Sequence, residues 1–279
     1  MKIIITGGTG FIGSELAVLL DSSGHDVMVL TRNKYSKKAA MFSDSIKVLD
    51  YQDRLPEADA IVHLAGASIA ALPLFDFRLK KIASSRTDLL RLIEENFKRR
   101  AFPKLIIQAS GTSVYEERQN AGEEDARTAD NLYSTLCHQI ENSARDLAAR
   151  HDCRCFIARI GVVIGSKGGL SKICSYLPKL RLFPDTESLP YIKLSDCTNA
   201  LKFILENQEQ ISGNVLNLTS PEYLSANGVL SLCRHLPYLP AIPVPKIVLN
   251  LDKRGSLLSF DSRIKPDALM KAGFCFSCK

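Results

Sequence analysis

The chain has 279 residues, 46% hydrophobic and 24% charged, with a formal net charge of +6. That size and balance suit a globular protein built as one large domain or a domain with a smaller lobe. The basic excess is dispersed among Asp and Glu without any block of like charge, which argues against a nucleic-acid partner but still helps to attract a phosphorylated small ligand.

The opening run MKIIITGGTG breaks at once into glycines, so no secretory leader is expected in these residues. No apolar run reaches the roughly 18 residues that a membrane helix needs, and LPYLPAIPVPKIVLNL (236–251) is interrupted by prolines. No membrane partner is therefore expected. Eight cysteines are scattered at 137, 153, 155, 174, 197, 233, 275 and 278. They read as reduced thiols of a cytoplasmic protein, not as a disulfide framework. CFSC (275–278) is a single C-x-x-C with no second pair or nearby histidines, and no metal site is expected.

In chain order, KIIIT (2–6) is a short β-branched strand ended by glycines, and FIGSELAVLLDSSG (11–24) has helical apolar spacing. HDVMVLTRN (25–33), SIKVLD (45–50), ADAIVHLAG (58–66) and LIIQAS (105–110) read as further strands. RLKKIASSRTDLLRLIEENFKRR (78–100) and LYSTLCHQIENSARDLAARH (132–151) read as amphipathic helices, and CRCFIARIGVVIG (153–165) as a sixth strand. Apolar strands alternating with helices imply a Rossmann-type, doubly wound parallel sheet with helices on both faces and a ligand crevice at the carboxyl ends of the strands. Beyond Gly168 the pattern loosens. GNVLNLTS (213–220), a helix near 225–235, a proline-rich stretch (237–245) and a short helix near 266–272 suggest a smaller C-terminal substrate lobe. The expected division is 1–166 for the dinucleotide-binding domain and 167–279 for the lobe, with about 189–207 returning to the first.

TGGTGFIG (6–13) joins the first strand to the first helix, with Gly7, Gly10 and Gly13 at G-x-x-G-x-x-G spacing. Gly7 permits the tight turn, Gly10 lets backbone amides approach a pyrophosphate, and Gly13 lets the helix pack closely on the strand. The helix N-terminus adds unpaired N–H groups and a positive dipole. At the end of the second strand, an NAD site carries an Asp or Glu for the ribose 2′-hydroxyl. This chain has Thr31-Arg32-Asn33-Lys34 instead, and the guanidinium of Arg32 suits a 2′-phosphate. The expected cofactor is NADP(H).

These segments, with VHLAG (62–66), SGTSVY (110–115), ASSR (83–86), RIGVVIGSKGGLSK (159–172), LPYIKLSD (189–196) and NLTSP (217–221), resemble the extended short-chain dehydrogenase/reductases of the NAD-dependent epimerase/dehydratase class. The resemblance is closest to an atypical epimerase-family branch and runs over essentially the whole chain. It implies that Gly7, Gly10, Phe11 and Ile12 cradle the pyrophosphate, with Thr9 and Gly13 completing the loop. It further implies that Arg32 and Asn33 hold the adenosine phosphate and that Leu64, Ala65 and Gly66 line the adenine-ribose side. Arg86, Arg159 and Val162 would approach the nicotinamide end.

In the wider family a Ser or Thr orients the substrate, while a Tyr acts as acid or base and a Lys four residues on lowers its pKa. A phenol with an ordinary pKa of about 10 needs such a cation at neutral pH. Here Ser110, Thr112 and Ser113 supply hydroxyls and Tyr133 a phenol, but Cys137 stands at the lysine position. The expected catalytic set is Ser110, Thr112 and Tyr133, with Tyr115 competing as the phenol and His138 and Lys193 as substitute cations. RLFPDTES (181–188) is shorter than the glycine-rich run of relatives, and Tyr191 and Lys193 replace their usual Trp and His. Two functions follow as expectations. One is an NADP(H)-dependent oxidoreductase or nucleotide-sugar-epimerase-like enzyme of a small-molecule substrate, monomeric or homodimeric. The other is a non-catalytic NADP(H)-binding sensor or assembly protein.

Overall fold

The computed structural model describes residues 1–66, 76–98, 100–166, 168–175, 179–233, 241–245 and 258–277. Of residues 76–80, 83 and 173 it describes the backbone only. Residues 237–240 of the proline-rich stretch and Cys278 lie outside the described residues.

Seven strands form one fully parallel sheet. They are β1 (Lys2–Thr6), β2 (Asp26–Thr31), β3 (Lys47–Asp50), β4 (Ala60–His63), β5 (Leu105–Gly111), β7 (Arg154–Ile160) and β11 (Val215–Leu218). Their order is β3-β2-β1-β4-β5-β7-β11, reversing direction of travel between β1 and β4. That reversal opens a crevice beyond the carboxyl ends of β1 and β4.

The strands are Ile- and Val-rich because both faces are covered. On one face α1 (Phe11–Ser22), α5 (Leu194–Glu206) and α7 (Asp267–Lys271) pack Leu16, Leu20, Leu201, Ile204 and Leu269 onto Ile3, Ile5, Val62 and Ile107. On the other, α2 (Asp76–Phe97) and α3 (Leu132–Arg150) pack Leu90, Ile93, Ala144 and Leu147 onto Ile4, Ile61, Ile106 and Ile157. No described helix is long and apolar enough to cross a membrane.

The expected sixth strand is two. Gly161 donates its N–H to Leu218 O, and the next residue, Val162, turns to Pro190 O at 2.9 Å. β8 (Val162–Ile164) then pairs with β10 (Tyr191–Lys193), away from the main sheet. A Cβ at Gly161 would lie 2.8 Å from Pro190 O, so this departure needs glycine.

The C-terminal third also divides differently from the sequence reading. β11, read there as part of the lobe, is the seventh strand of the main sheet. The terminal helix α7 likewise sits on the main core, with Phe274 beside Leu269. The lobe has its own core of Ile164, Cys174, Leu182, Leu189, Tyr191, Val229 and Leu230, drawn from β8, α4 (Gly169–Cys174), β9 (Leu180–Phe183), β10 and α6 (Ala226–Ser231). Strand β12 (Ile242–Pro245) pairs with β9, and β13 (Arg263–Ile264) pairs with β6 (Asn120–Ala121).

Candidate dinucleotide and substrate crevice

The glycine loop is shaped as its spacing predicts. Gly7 is left-handed (φ 69°), and a Cβ there would fall 2.8 Å from Ala65 Cα in the loop after β4. A Cβ on Gly13 would strike Gly7 O and come within 2.7 Å of Gly8 Cα. Gly10 opens α1 with extended backbone and no side-chain cap, so the orphan N–H groups of its first turn are left for a ligand. The side chain of Phe11 turns away from the loop. Its ring fills a notch among Gly165, Gly168 and Gly169, where a Cβ on Gly169 would meet Cε1 at 2.8 Å. Ile12 is anchored on the main core.

The crevice floor is tied to the same loop. Leu64 and Ala65 donate their N–H groups to Thr6 O and Thr6 Oγ1, both at 3.2 Å. The Arg86 guanidinium lies against Gly66, in the space a Cβ there would take. Arg86 donates to Ile82 O at 2.9 Å, and burial lowers its pKa. His63 is fully buried at the end of β4, its Nδ1 2.7 Å from Thr6 Oγ1. Burial, aided by the charge of Arg86, holds its pKa down at about 3, so the ring is neutral. Its Nε2 and the Oε1 of Gln108, its register partner on β5, are buried with no hydrogen-bond partner among the described residues.

At the adenosine end, Thr31 is buried while Arg32 and Asn33 are exposed. Asn33 Oδ1 accepts the Tyr35 N–H at 2.9 Å, which shapes the loop after β2.

The expected catalytic residues gather between the sheet and α3. Ser110, at the end of β5, donates its hydroxyl hydrogen to Glu141 Oε1 at 2.8 Å. Thr112 is buried in the turn that follows. Cys137 Sγ lies 3.7 Å from Ser113 Oγ, and burial raises its thiol pKa, so it supplies no charge where a lysine would. Tyr133, one turn earlier, packs against Ile82, Leu136 and Ile140.

Arg159 and Val162 also have partners within the protein. Arg159 is held by Glu141, its Nε and Nη2 donating to the two carboxylate oxygens at 2.9 and 2.8 Å. Val162 packs towards the lobe core. Among the competitors, Tyr115 is committed inside the protein. It is buried under the Arg159 guanidinium, its hydroxyl donates to Asn217 Oδ1 at 2.7 Å, and burial raises its pKa. His138 is half-exposed, with Nδ1 4.0 Å from Glu141 Oε2. Lys193 opens α5.

Glu141 is the residue the sequence reading missed. It is fully buried, and also accepts from Arg145 at 3.1 Å. Burial opposes its charge, but the hydrogen bonds and charge of Arg159 outweigh that and hold its carboxyl below the usual range. Its position eight residues after Tyr133 and four after Cys137, on the buried face of α3, was the available signal.

Comparisons with known proteins agree with this architecture. The model of the NAD dependent epimerase/dehydratase family matches residues 3–218. The chain is 28% identical to the epimerase family protein YfhF of Bacillus subtilis, covering 99% of this chain and 94% of that protein. It is 27% identical to human SDR39U1, covering 99% and 96%. The crystal structure of human SDR39U1 with NADPH superimposes with a TM-score of 0.76 at 24% identity, covering 99% of this chain and 95% of that one. UDP-glucose 4-epimerase from Thermotoga maritima superimposes at 0.74 with 18% identity, covering 100% and 94%. With its reversed parallel sheet, its glycine cradle and a family model matched over most of its length, the chain belongs to the NAD-dependent epimerase/dehydratase family.

Proposed function

We propose that this chain binds NADP(H) along the crevice and is an oxidoreductase or nucleotide-sugar-epimerase-like enzyme acting on a small carbonyl, alcohol or sugar substrate. The observation that carries the reading is the cradle. Three glycines whose added Cβ atoms would collide with backbone open a helix that has no side-chain cap. The exposed Arg32, standing where an NAD site carries a carboxylate, favours the phosphorylated dinucleotide. The NADPH in the human SDR39U1 structure supports the same choice.

The dinucleotide supplies hydride donation or acceptance at its nicotinamide ring. The chain's own residues do the rest. Gly7, Thr9, Gly10 and the backbone of Phe11–Gly13 hold the pyrophosphate, and Arg32 with Asn33 holds the adenosine phosphate. Leu64–Gly66 and Arg86 line the floor. Ser110 has its own hydrogen committed to Glu141, so it offers a lone pair and orients a substrate hydroxyl. Thr112 flanks it, and Tyr133 or a water carries the proton. The protein acts in the reducing cytoplasm, as a monomer or homodimer.

A second reading, an NADP(H)-binding sensor without catalysis, is favoured by one observation: Cys137 leaves Tyr133 without the lysine that would lower its pKa. Thermal-shift titration with NADPH, NADP⁺, NADH and NAD⁺ tests the binding. At 100 times its dissociation constant a ligand adds about 2.7 kcal/mol, or about 5 °C here. A shift confined to the phosphorylated pair and lost in Arg32→Ala is expected; no shift with any of the four refutes the reading. Ser110→Ala and Tyr133→Phe then separate enzyme from sensor. In the enzyme, both keep the cofactor and lose turnover against a carbonyl and sugar-nucleotide panel.

A further inference from the structure

We propose that the ion pair between Lys34 and Asp53 sets the dinucleotide preference of the adenosine corner, with Lys34 acting as the residue that masks an NAD-type carboxylate. The proposal rests on the NADP(H) reading above.

The end of β2 has no acid of its own, but its neighbour supplies one. In the parallel register Thr31 lies opposite Asp50, so the residues after β3 turn beside Arg32. Asp53 folds back there, its N–H bonding Asp50 O at 3.0 Å and its Oδ2 accepting the Asp50 N–H at 2.8 Å. Arg32 is close enough for its charge to be felt at Tyr51. Lys34 Nζ lies 2.9 and 2.8 Å from the two Asp53 oxygens, each side chain 30% exposed.

Arg32, Lys34, Asp50 and Asp53 sum to zero formal charge, and without Lys34 the corner carries one net negative charge. A bare carboxylate there would repel a 2′-phosphate dianion and could accept from the 2′-hydroxyl of the unphosphorylated cofactor. Arg32 alone would then face two acids. The pair shields the phosphate site without contributing a ligand to it, so Lys34 is a positioning residue acting through Asp53.

The test measures dissociation constants for NADPH and NADH by fluorescence titration of wild type, Lys34→Ala, Asp53→Asn and the double variant. A unit charge about 8 Å from a dianion, in a water-like dielectric at low salt, changes the binding constant by about fivefold. Lys34→Ala is expected to lower the NADPH-over-NADH preference by about that factor. The double variant should restore it, because Asn keeps the acceptor for the Asp50 N–H and removes the charge. At high salt the difference should shrink.

An unchanged preference in a folded Lys34→Ala overturns the proposal. So does a loss that Asp53→Asn fails to relieve, which would mean that Lys34 touches the phosphate itself. A wild type that binds neither dinucleotide overturns the underlying reading and the proposal together, whereas a wild type with normal preference and an indifferent Lys34 overturns the proposal alone.

Discussion

His63 gives a prediction whose magnitude follows from its surroundings. The ring is fully buried on the crevice floor, and its pKa falls from 6.5 to about 3 through burial and the nearby Arg86 charge. In the unfolded chain the same ring takes up a proton as pH drops through 6.5, while the folded one stays neutral. The folded pKa is depressed, so the stability tied to this neutral ring is complete above about pH 6.5 and is lost progressively as pH falls towards 3. The slope approaches 1.4 kcal/mol per pH unit, and between pH 7.5 and 5.5 the loss totals about 1.4 kcal/mol. Urea unfolding of wild type and His63→Gln at both values isolates it, because every other titrating group is common to the two proteins. The wild type should lose about 1.4 kcal/mol more than the variant over that interval. Parallel pH profiles, or a His63 ring that titrates near 6.5 by NMR, would refute the argument.

Other outcomes follow from the same geometry. Gly13→Ala drives a Cβ into Gly7 O and Gly8 Cα, and should weaken NADPH binding at least tenfold, about 1.4 kcal/mol or more, in a titration on folded protein. Glu141→Ala leaves Arg159 buried and unpaired and should cost about 3–5 kcal/mol by denaturant unfolding, whereas Glu141→Leu with Arg159→Met should recover much of that. Tyr115→Phe strands Asn217 Oδ1 at a cost of about 1–3 kcal/mol, yet should leave NADPH affinity unchanged, as expected of a phenol outside the crevice. Mass spectrometry after brief iodoacetamide treatment at neutral pH should find the exposed Cys275 modified before Cys137, whose pKa burial raises.

The sequence alone determined what is local. β-branched runs, helical apolar spacing and the glycines at 7, 10 and 13 each depend on neighbours a few residues away, so strand, turn and helix could be read in order. Their alternation along the chain then implied the parallel sheet and its crevice. The replacement of lysine by Cys137 was legible for the same reason, being one helical turn from Tyr133. What the sequence left open depends on residues that meet only in space. Gly161 looked like the middle of one strand, and only the Pro190 carbonyl beside it explains why the chain leaves the sheet there. β11 and α7 read as part of the lobe because the alternation of strands and helices loosens beyond Gly168. Pairing with β7 decides the matter for β11, where Asn217 accepts from the Tyr115 hydroxyl while Asn217 and Thr219 donate to the carbonyls of Lys265 and Ile264, at separations from 45 to 102 residues. Glu141 on an apolar helix face becomes intelligible only when β7 brings Arg159 against it, and Lys34 finds Asp53 only because β2 and β3 lie side by side. Charge placement is long-range in sequence and short-range in space, so the cradle was written in the chain while its electrostatics had to wait for the fold.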